Sequence, residues 1–409
     1  NESRGNRHRN CRACVGAWPM PVRTWSKGNG MNAVRGLALA MMFVFAALAP
    51  GVGIAAAADL LLRSEAGPVR VVEVARGLDS PWSIAFLPDR RLLVTERPGR
   101  MRIVGPDGSL SVPLLGVPEV HAQGQGGLLD VVLSPDFATD HTIVFSFAQP
   151  TSSGARTAVA RARLDVEALR LDDVRIIFSQ NEDPSGNHHW GSRLVFDRTG
   201  KLFVTLGERF HSRDRAQALD SHLGKIVRIG MNGSVPADNP FVQQAGARPE
   251  VWSYGHRNVQ GAALHPLSGE LWAHEHGPQG GDELNRVLPG RNYGWPVITF
   301  GREYVIGSRI GEGTSRADVE TPLKQWTPSI APSGMAFYTG DVFPQWKGNL
   351  FVGALKFQLL VRLVLDGDKV VSEERFELGR RIRDVRQGPD GHLWLLDESE
   401  GRVLRLDPG

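Results

Sequence analysis

Only two cysteines occur in the 409 residues, Cys11 and Cys14, and both lie near the start of the chain. A disulfide framework is therefore excluded for everything downstream. With no second pair, Cys11-x-x-Cys14 matches a zinc or redox spacing by letter only. Long apolar runs are scarce as well. The one candidate, Gly36 to Pro50, is short for a bilayer span and is interrupted by Pro50 and Gly51. Helical periodicity is nearly absent. Gly124-x-Gly126-Gly127 and Gly277 to Gly281 lack the spacing and the strand-to-helix setting of a dinucleotide site, which disfavours a nicotinamide cofactor. Neither a Gly-x-Ser-x-Gly elbow nor a Walker loop is present. His274-Glu275-His276 lacks the helical i, i+4 geometry of a zinc-protease motif.

From Met31 the text runs through a basic position at Arg35, the apolar run, and the small residues Ala55 to Ala58. That is the order of a secretory signal peptide cleaved near Ala58, which predicts a periplasmic or secreted protein without stable membrane insertion. Residues 1 to 58 hold seven Lys/Arg and one acidic residue, leaving 40 basic and 43 acidic side chains beyond them. The formal charge of the whole chain, +3, thus becomes −3 for the mature part. Nothing in this balance favours nucleic acid or an anionic membrane as partner.

What is abundant is turn chemistry. With Gly at 47 and Pro at 26, the composition suits many short elements joined by turns. One unit recurs six times: an apolar strand, a Pro/Asp/Gly turn, then a Leu-aromatic-Val-like strand closing on a polar residue. The copies are PWSIAFLPDRRLLVTE (81 to 96), GLLDVVLSPDFATDHTIVFSF (127 to 147), GSRLVFDRTGKLFVTLGE (191 to 208), VQGAALHPLSGELWAHE (259 to 275), PSGMAFYTGDVFPQWKGNLFVGALK (332 to 356) and IRDVRQGPDGHLWLLDE (382 to 398). Each reads as a hairpin. Their spacing leaves room for two further strands per copy, which predicts an all-β, six-bladed β-propeller over residues 59 to 409 as one domain. Closure would pair Val69 to Val74 with Val403 to Leu406. Insertions are expected at Thr151 to Gly154, Phe210 to His222, Ala237 to Arg248 and Gly301 to Pro322. Trp252, Trp272, Trp295 and Trp394 are expected in blade cores rather than as ligand-stacking platforms.

In a propeller, equivalent strand ends meet around one mouth of the central channel. The closing residues Glu96, Glu208, Glu275, His276, Lys356 and Asp397 should gather there. They are joined by Gln125, His189, Arg257, Asn258, Arg381 and Arg383 from the loops that lead into the hairpins. Such a rim suits a polyanionic ligand.

The stretches GHRNVQG (255 to 261), EHGPQGGDELN (275 to 285), NYGWP (292 to 296), NHHWGSRLVF (187 to 196), GQGGLLDVVLSPDF (124 to 137) and RRIRDV (380 to 385) together resemble the soluble glucose and aldose sugar dehydrogenases that use pyrroloquinoline quinone (PQQ). The likeness covers nearly all of residues 68 to 407 and is closer to the aldose sugar dehydrogenase branch. It implies PQQ and calcium as cofactors, an aldose as substrate, and an electron acceptor whose identity it leaves open. By the same resemblance His189 is the general base, supported by Glu208. Gln125 and Tyr304 face the substrate. Arg257 and Asn258 lie beside the quinone, and Lys356, Arg381 and Arg383 hold its carboxylates and carbonyls. Gly277 and Pro278 offer backbone oxygens to a calcium that also touches PQQ, while Glu283 and Tyr293 belong to a second, structural calcium site.

These residue types suit the chemistry. An imidazole can take the anomeric hydroxyl proton near neutral pH, and a nearby carboxylate stabilises the imidazolium. Guanidinium and ammonium groups can neutralise a tricarboxylate. His188, His276 and the Phe210 to Arg215 insertion depart from the glucose dehydrogenase pattern, which argues against narrow glucose specificity. Two alternatives stay open at this point: a calcium-dependent sugar lactonase on a six-bladed propeller, and a non-catalytic propeller that binds carbohydrate or protein.

Overall fold

The computed structural model describes residues 60–409, so the expected leader over residues 1–58 lies outside the described residues. Strands dominate. Among the described residues the helical content is one short α-helix, Phe137–Asp140, and two 3-10 turns, Arg213–Gln217 and Pro344–Trp346.

All six expected hairpins form, and each supplies the two innermost strands of one sheet. In chain order they are Pro81–Phe86 with Leu92–Glu96, Leu128–Leu133 with Thr142–Pro150, and Gly191–Phe196 with Leu202–Leu206; then Val259–Leu264 with Leu271–Glu275, Pro332–Phe337 with Leu350–Ala354, and Ile382–Gln387 with Leu393–Asp397. The innermost strands contact one another in sequence and the last meets the first, which closes a ring of six blades. The chain is a six-bladed β-propeller. The sixth blade is completed from the other end of the chain: Gly67–Arg76 pairs with Arg402–Pro408, with Val71 opposite Leu406. Joining first and last strands in one sheet locks the circle and removes two exposed edges.

Burial explains the sequence pattern. Strands such as Leu92–Glu96, Leu202–Leu206 and Leu393–Asp397 are buried at every position, because alternate residues enter two different cores. Ile143 and Phe145 pack toward the first blade while Val144 packs toward the third. The period of two therefore separates one blade interface from the next, not core from solvent. Six such clusters run round the ring, each shared by neighbouring blades.

Every inner hairpin is irregular near its mouth end, with register shifts such as Pro81/Ser83, Gly191/Leu194 and Ile382/Asp384. A bulge bends the strand and re-aims the side chains beside it. Here the bulges sit where the mouth loops begin. Deeper on the axis, Arg193 donates to Asp130 at 3.1 Å and to Asp384 at 3.0 Å, and Arg386 donates to the same two carboxylates at 2.7 and 2.9 Å.

One expected insertion is something smaller. Thr151 to Gly154 is the tight turn of the hairpin between Thr142–Pro150 and Ala155–Asp165, closed by the Thr151 N–H donating to the Gly154 carbonyl at 2.9 Å. Phe210 to His222, Ala237 to Arg248 and Gly301 to Pro322 are true excursions without strands. Of the four tryptophans expected in blade cores, Trp272 is fully enclosed, Trp394 is buried in the core between the sixth and first blades, and Trp252 packs against the core between the third and fourth. Trp295 departs from that expectation and lines a cleft at the mouth.

Candidate active site

His189 lies in the irregular stretch just before the inner strand of the third blade, and Glu208 just after the neighbouring strand of the same hairpin. Hairpin pairing therefore brings them together, with His189 Nδ1 2.9 Å from Glu208 Oε1. Gly207 permits this approach. A Cβ there would fall 2.1 Å from the His189 carbonyl oxygen, closer than any side chain tolerates. His189 itself adopts a left-handed φ of 53°, sparsely populated for such a residue. Its backbone N–H donates to Gln125 Oε1 at 2.8 Å.

Burial, reinforced by the Arg257 charge, holds the His189 imidazole well below its usual pKa, so it is neutral at pH 7. Burial pushes the Glu208 carboxyl up to about 7, against the opposing pull of Arg257. With Glu208 ionised, the shared proton sits on Nδ1. Nε2, which has no hydrogen-bond partner among the described residues, is then the basic nitrogen.

Beside this pair opens a cleft of about 200 Å³ at the channel mouth. Trp82, Trp190 and Leu129 give it apolar walls, and Asn258, Gln260 and Gln125 line it with amides. Three guanidiniums enter it, from Arg97, Arg381 and Arg383, against one carboxylate, Glu398. Arg383 is buried, donates to Glu398 at 2.9 Å and to Gln260 at 3.3 Å, and leaves its Nε–H without a partner. Burial would raise the Glu398 carboxyl, yet Arg383 and Arg381 together hold it below the usual range. Three guanidiniums against one carboxylate, with an orphaned donor on the buried Arg383, fit an anionic, carboxylate-bearing ligand. Asn258 Oδ1 accepts from the Gly191 N–H at 3.1 Å and so ties the fourth blade to the third.

Arg257 lines a second cleft, together with Glu208, Phe210, Trp295 and Tyr304. It donates to the Gly277 carbonyl at 2.7 Å, the His276 carbonyl at 3.1 Å and the Tyr304 hydroxyl at 3.3 Å. The Gly277 oxygen is the backbone type of ligand that hard metals prefer, and a metal there would share it with Arg257. Pro278 is buried next to it and lines the second cleft. Glu283 and Tyr293 border one small void with Glu275 and Thr299. Burial and the neighbouring Glu275 carboxylate hold Glu283 well above the usual carboxyl range. The Tyr293 hydroxyl donates to the Arg286 carbonyl at 2.6 Å and accepts from the Leu288 N–H at 2.8 Å, so it is already engaged within the protein.

Of the expected cations, Arg257 lines the second cleft instead of the first, and Lys356 lines neither. It is exposed, with Nζ 5.1 Å from the Phe357 ring centroid, and does not line the cleft. Arg97, Glu398, Trp82 and Trp190 line it without having been singled out from the sequence. Arg97 and Glu398 each directly follow a closing residue, Glu96 and Asp397, so repeat phase was the available signal.

The profile of the family described as Glucose / Sorbosone dehydrogenase matches residues 78–405. This chain belongs to that family. Aldose sugar dehydrogenase YliI of Escherichia coli is 49% identical over 352 residues, covering 84% of this chain and 94% of that protein. Quinoprotein glucose dehydrogenase B of Acinetobacter calcoaceticus is 26% identical over 417 residues, covering 82% of this chain and 86% of that protein. Among solved structures, the soluble aldose sugar dehydrogenase of Escherichia coli in its apo form superposes with a TM-score of 0.80 at 47% identity, covering 83% of this chain and 100% of its own. The PQQ-bound aldose sugar dehydrogenase of Streptomyces coelicolor gives 0.69 at 32% identity, with 83% and 98% covered. The expectation of a sugar-oxidising enzyme on a propeller holds, and the lactonase and binding-module alternatives lose their ground.

Proposed function

We propose that residues 59 to 409 form a catalytic domain that oxidises aldoses at C1 to the lactone, using PQQ held in the cationic cleft and calcium at the Gly277-Pro278 backbone. The observation that carries this reading is the cleft itself: three guanidiniums facing one carboxylate beside a neutral, carboxylate-paired imidazole. A Streptomyces coelicolor relative with PQQ bound and an Acinetobacter quinoprotein support the choice of cofactor.

Arg381 and Arg383 would hold carboxylates, Asn258 and Arg257 the quinone edge, and Lys356 would have to swing in from the surface. When bound, PQQ supplies the ortho-quinone that takes the C1 hydride, and calcium supplies Lewis acidity at its carbonyl. The protein's part is the proton. His189 Nε2 removes the C1 hydroxyl proton while Nδ1–H stays directed at Glu208, whose charge stabilises the imidazolium. Gln125 fixes the base through its backbone N–H, and Tyr304 faces the sugar from the second cleft. The substrate thus loses one proton to the imidazole and a hydride to the cofactor, leaving the C1 carbonyl of the lactone. Glu283 and the Tyr293 main chain would hold a second calcium with a structural role.

The apolar run and Ala55 to Ala58 support export to the periplasm or medium with cleavage near Ala58. Among the described residues no helix is long and apolar enough to cross a membrane. Reconstitution of residues 59 to 409 with PQQ and calcium, followed by dye reduction over an aldose panel, tests the activity. Sugar-dependent dye reduction that needs both cofactors is expected, and its absence in fully loaded protein would defeat the proposal.

A further inference from the structure

We propose that Arg209 is the positioning residue for the base: its buried guanidinium clamps the loop that carries His189 and fixes the imidazole against Glu208. The inference rests on the reading of His189 as the base.

The loop needs such a clamp. Asn181 to Trp190 contains no strand, so no ladder of backbone hydrogen bonds holds it in place. Arg209 is fully buried, and its donors go to main-chain carbonyls alone: Nε to His188 at 3.1 Å, Nη1 to Ala155 at 2.9 Å and Nη2 to Gly186. Two of those carbonyls belong to the loop, one being the residue directly before the base. The third belongs to the regular strand Ala155–Asp165 of the second blade, which gives the clamp a rigid footing.

The guanidinium also lies 3.4 Å from the ring centroid of Trp190, the residue directly after the base. His189 is thus held from both sides along the chain. Burying a charge without a carboxylate partner is costly, and three carbonyls with an aromatic face are what a planar five-donor fork can use and an ammonium cannot. Burial lowers the Arg209 pKa to about 10, which leaves it charged at neutral pH.

Backbone geometry points the same way. Arg209 and Phe210 have successive left-handed φ values of 64° and 68°, rare for residues with a Cβ. This turn sends consecutive side chains to different sides of one target. Glu208 reaches the imidazole nitrogen, Arg209 passes behind the loop, and the Phe210 ring lies 5.3 Å from the His189 ring at 67°. Strain of this kind persists where the surroundings over-determine it, often at functional sites.

The test compares Arg209→Met, which removes the fork, with Arg209→Lys, which keeps a charge but not the planar set of donors. The unloaded protein with 15N-labelled histidine reports which His189 nitrogen carries the proton, a readout that needs neither cofactor nor turnover. About two pH units above the Glu208 pKa of about 7, where that carboxylate is ionised, the native protein should show one tautomer, protonated on Nδ1. Both variants should show averaging of the two. In loaded protein, kcat should fall by roughly 10- to 100-fold, as a small misplacement of a catalytic group does, with sugar KM changed far less. If Arg209→Met fails to fold, Arg209→Lys is read by the same two measurements. A folded variant with the native tautomer and native kcat overturns the proposal. Loss of activity in His189→Gln is judged separately, so failure of the clamp and failure of the base remain distinguishable.

Discussion

Two clusters of arginine lie along the propeller axis, and their difference separates structure from function. In the deeper one, Arg193 and Arg386 share Asp130 and Asp384, and Ser83 adds a 2.6 Å hydrogen bond to Asp130. Charges balance, and four blades are tied together. At the mouth, Arg97, Arg381 and Arg383 face Glu398 alone, and the Arg383 Nε–H is buried without a partner. The first cluster is complete within the protein. The second carries two guanidiniums in excess of its one carboxylate and an unmet buried donor on Arg383, which an anion can supply.

The comparison can be broken most sharply at the chemistry beside the mouth. His189→Gln should reduce single-turnover sugar oxidation by roughly two to four orders of magnitude, the usual contribution of a general base, while unfolding and PQQ binding stay close to native. Parallel loss of stability or of PQQ affinity would show that His189 belongs with the structural set instead.

At the axis the opposite outcome is expected. Asp384→Asn leaves Arg193 and Arg386 with Asp130 as their one carboxylate and should destabilise by about 3 to 5 kcal/mol in denaturant titration. Activity per folded, PQQ-loaded molecule should remain. Arg383→Met should weaken PQQ by roughly 10- to 100-fold, as for a lost charged hydrogen bond, and should cost less unloaded stability than Asp384→Asn because Glu398 keeps Arg381 at 3.5 Å. Equal effects of the two substitutions on both quantities would erase the distinction.

The smallest effect concerns pH. Because burial raises Glu208 to about 7, and His189 is a base at Nε2 only when Glu208 is ionised, kcat/KM should fall below pH 7 by roughly tenfold per unit. Above that pH this group limits nothing. Glu208→Gln should flatten the acidic limb while lowering the plateau, and a native pH profile in that variant would count against the pairing.

Much of this was legible in the sequence for a physical reason. Turn residues such as Pro88-Asp89, Thr199-Gly200 and Pro389-Asp390-Gly391 fix hairpins locally, so six of them could be counted without tertiary knowledge. Repeat phase then placed His189 and Glu208 side by side. Where phase was not followed through, residues escaped: Arg97 and Glu398 sit one position past closing residues that were noticed. Thr151 to Gly154 looked like an insertion because a tight hairpin turn and a short loop share the same letters. Arg209 could not be read at all. Its role depends on a left-handed backbone and on carbonyls supplied by another blade, neither of which local pattern encodes. Lys356, expected at the mouth by repeat phase and by the resemblance alike, rests on the surface in this structure.

The central claim is that the mouth cluster is built for a polycarboxylate cofactor. Calorimetric titration of the calcium-containing protein with PQQ, paired with the thermal midpoint at each addition, tests it most directly. Saturable binding is predicted, weakening with salt, reduced in Arg383→Met, and raising stability by about 2.7 kcal/mol at a hundredfold excess over Kd. Absence of saturable binding, or binding undiminished when Arg381 and Arg383 are both replaced, would contradict it.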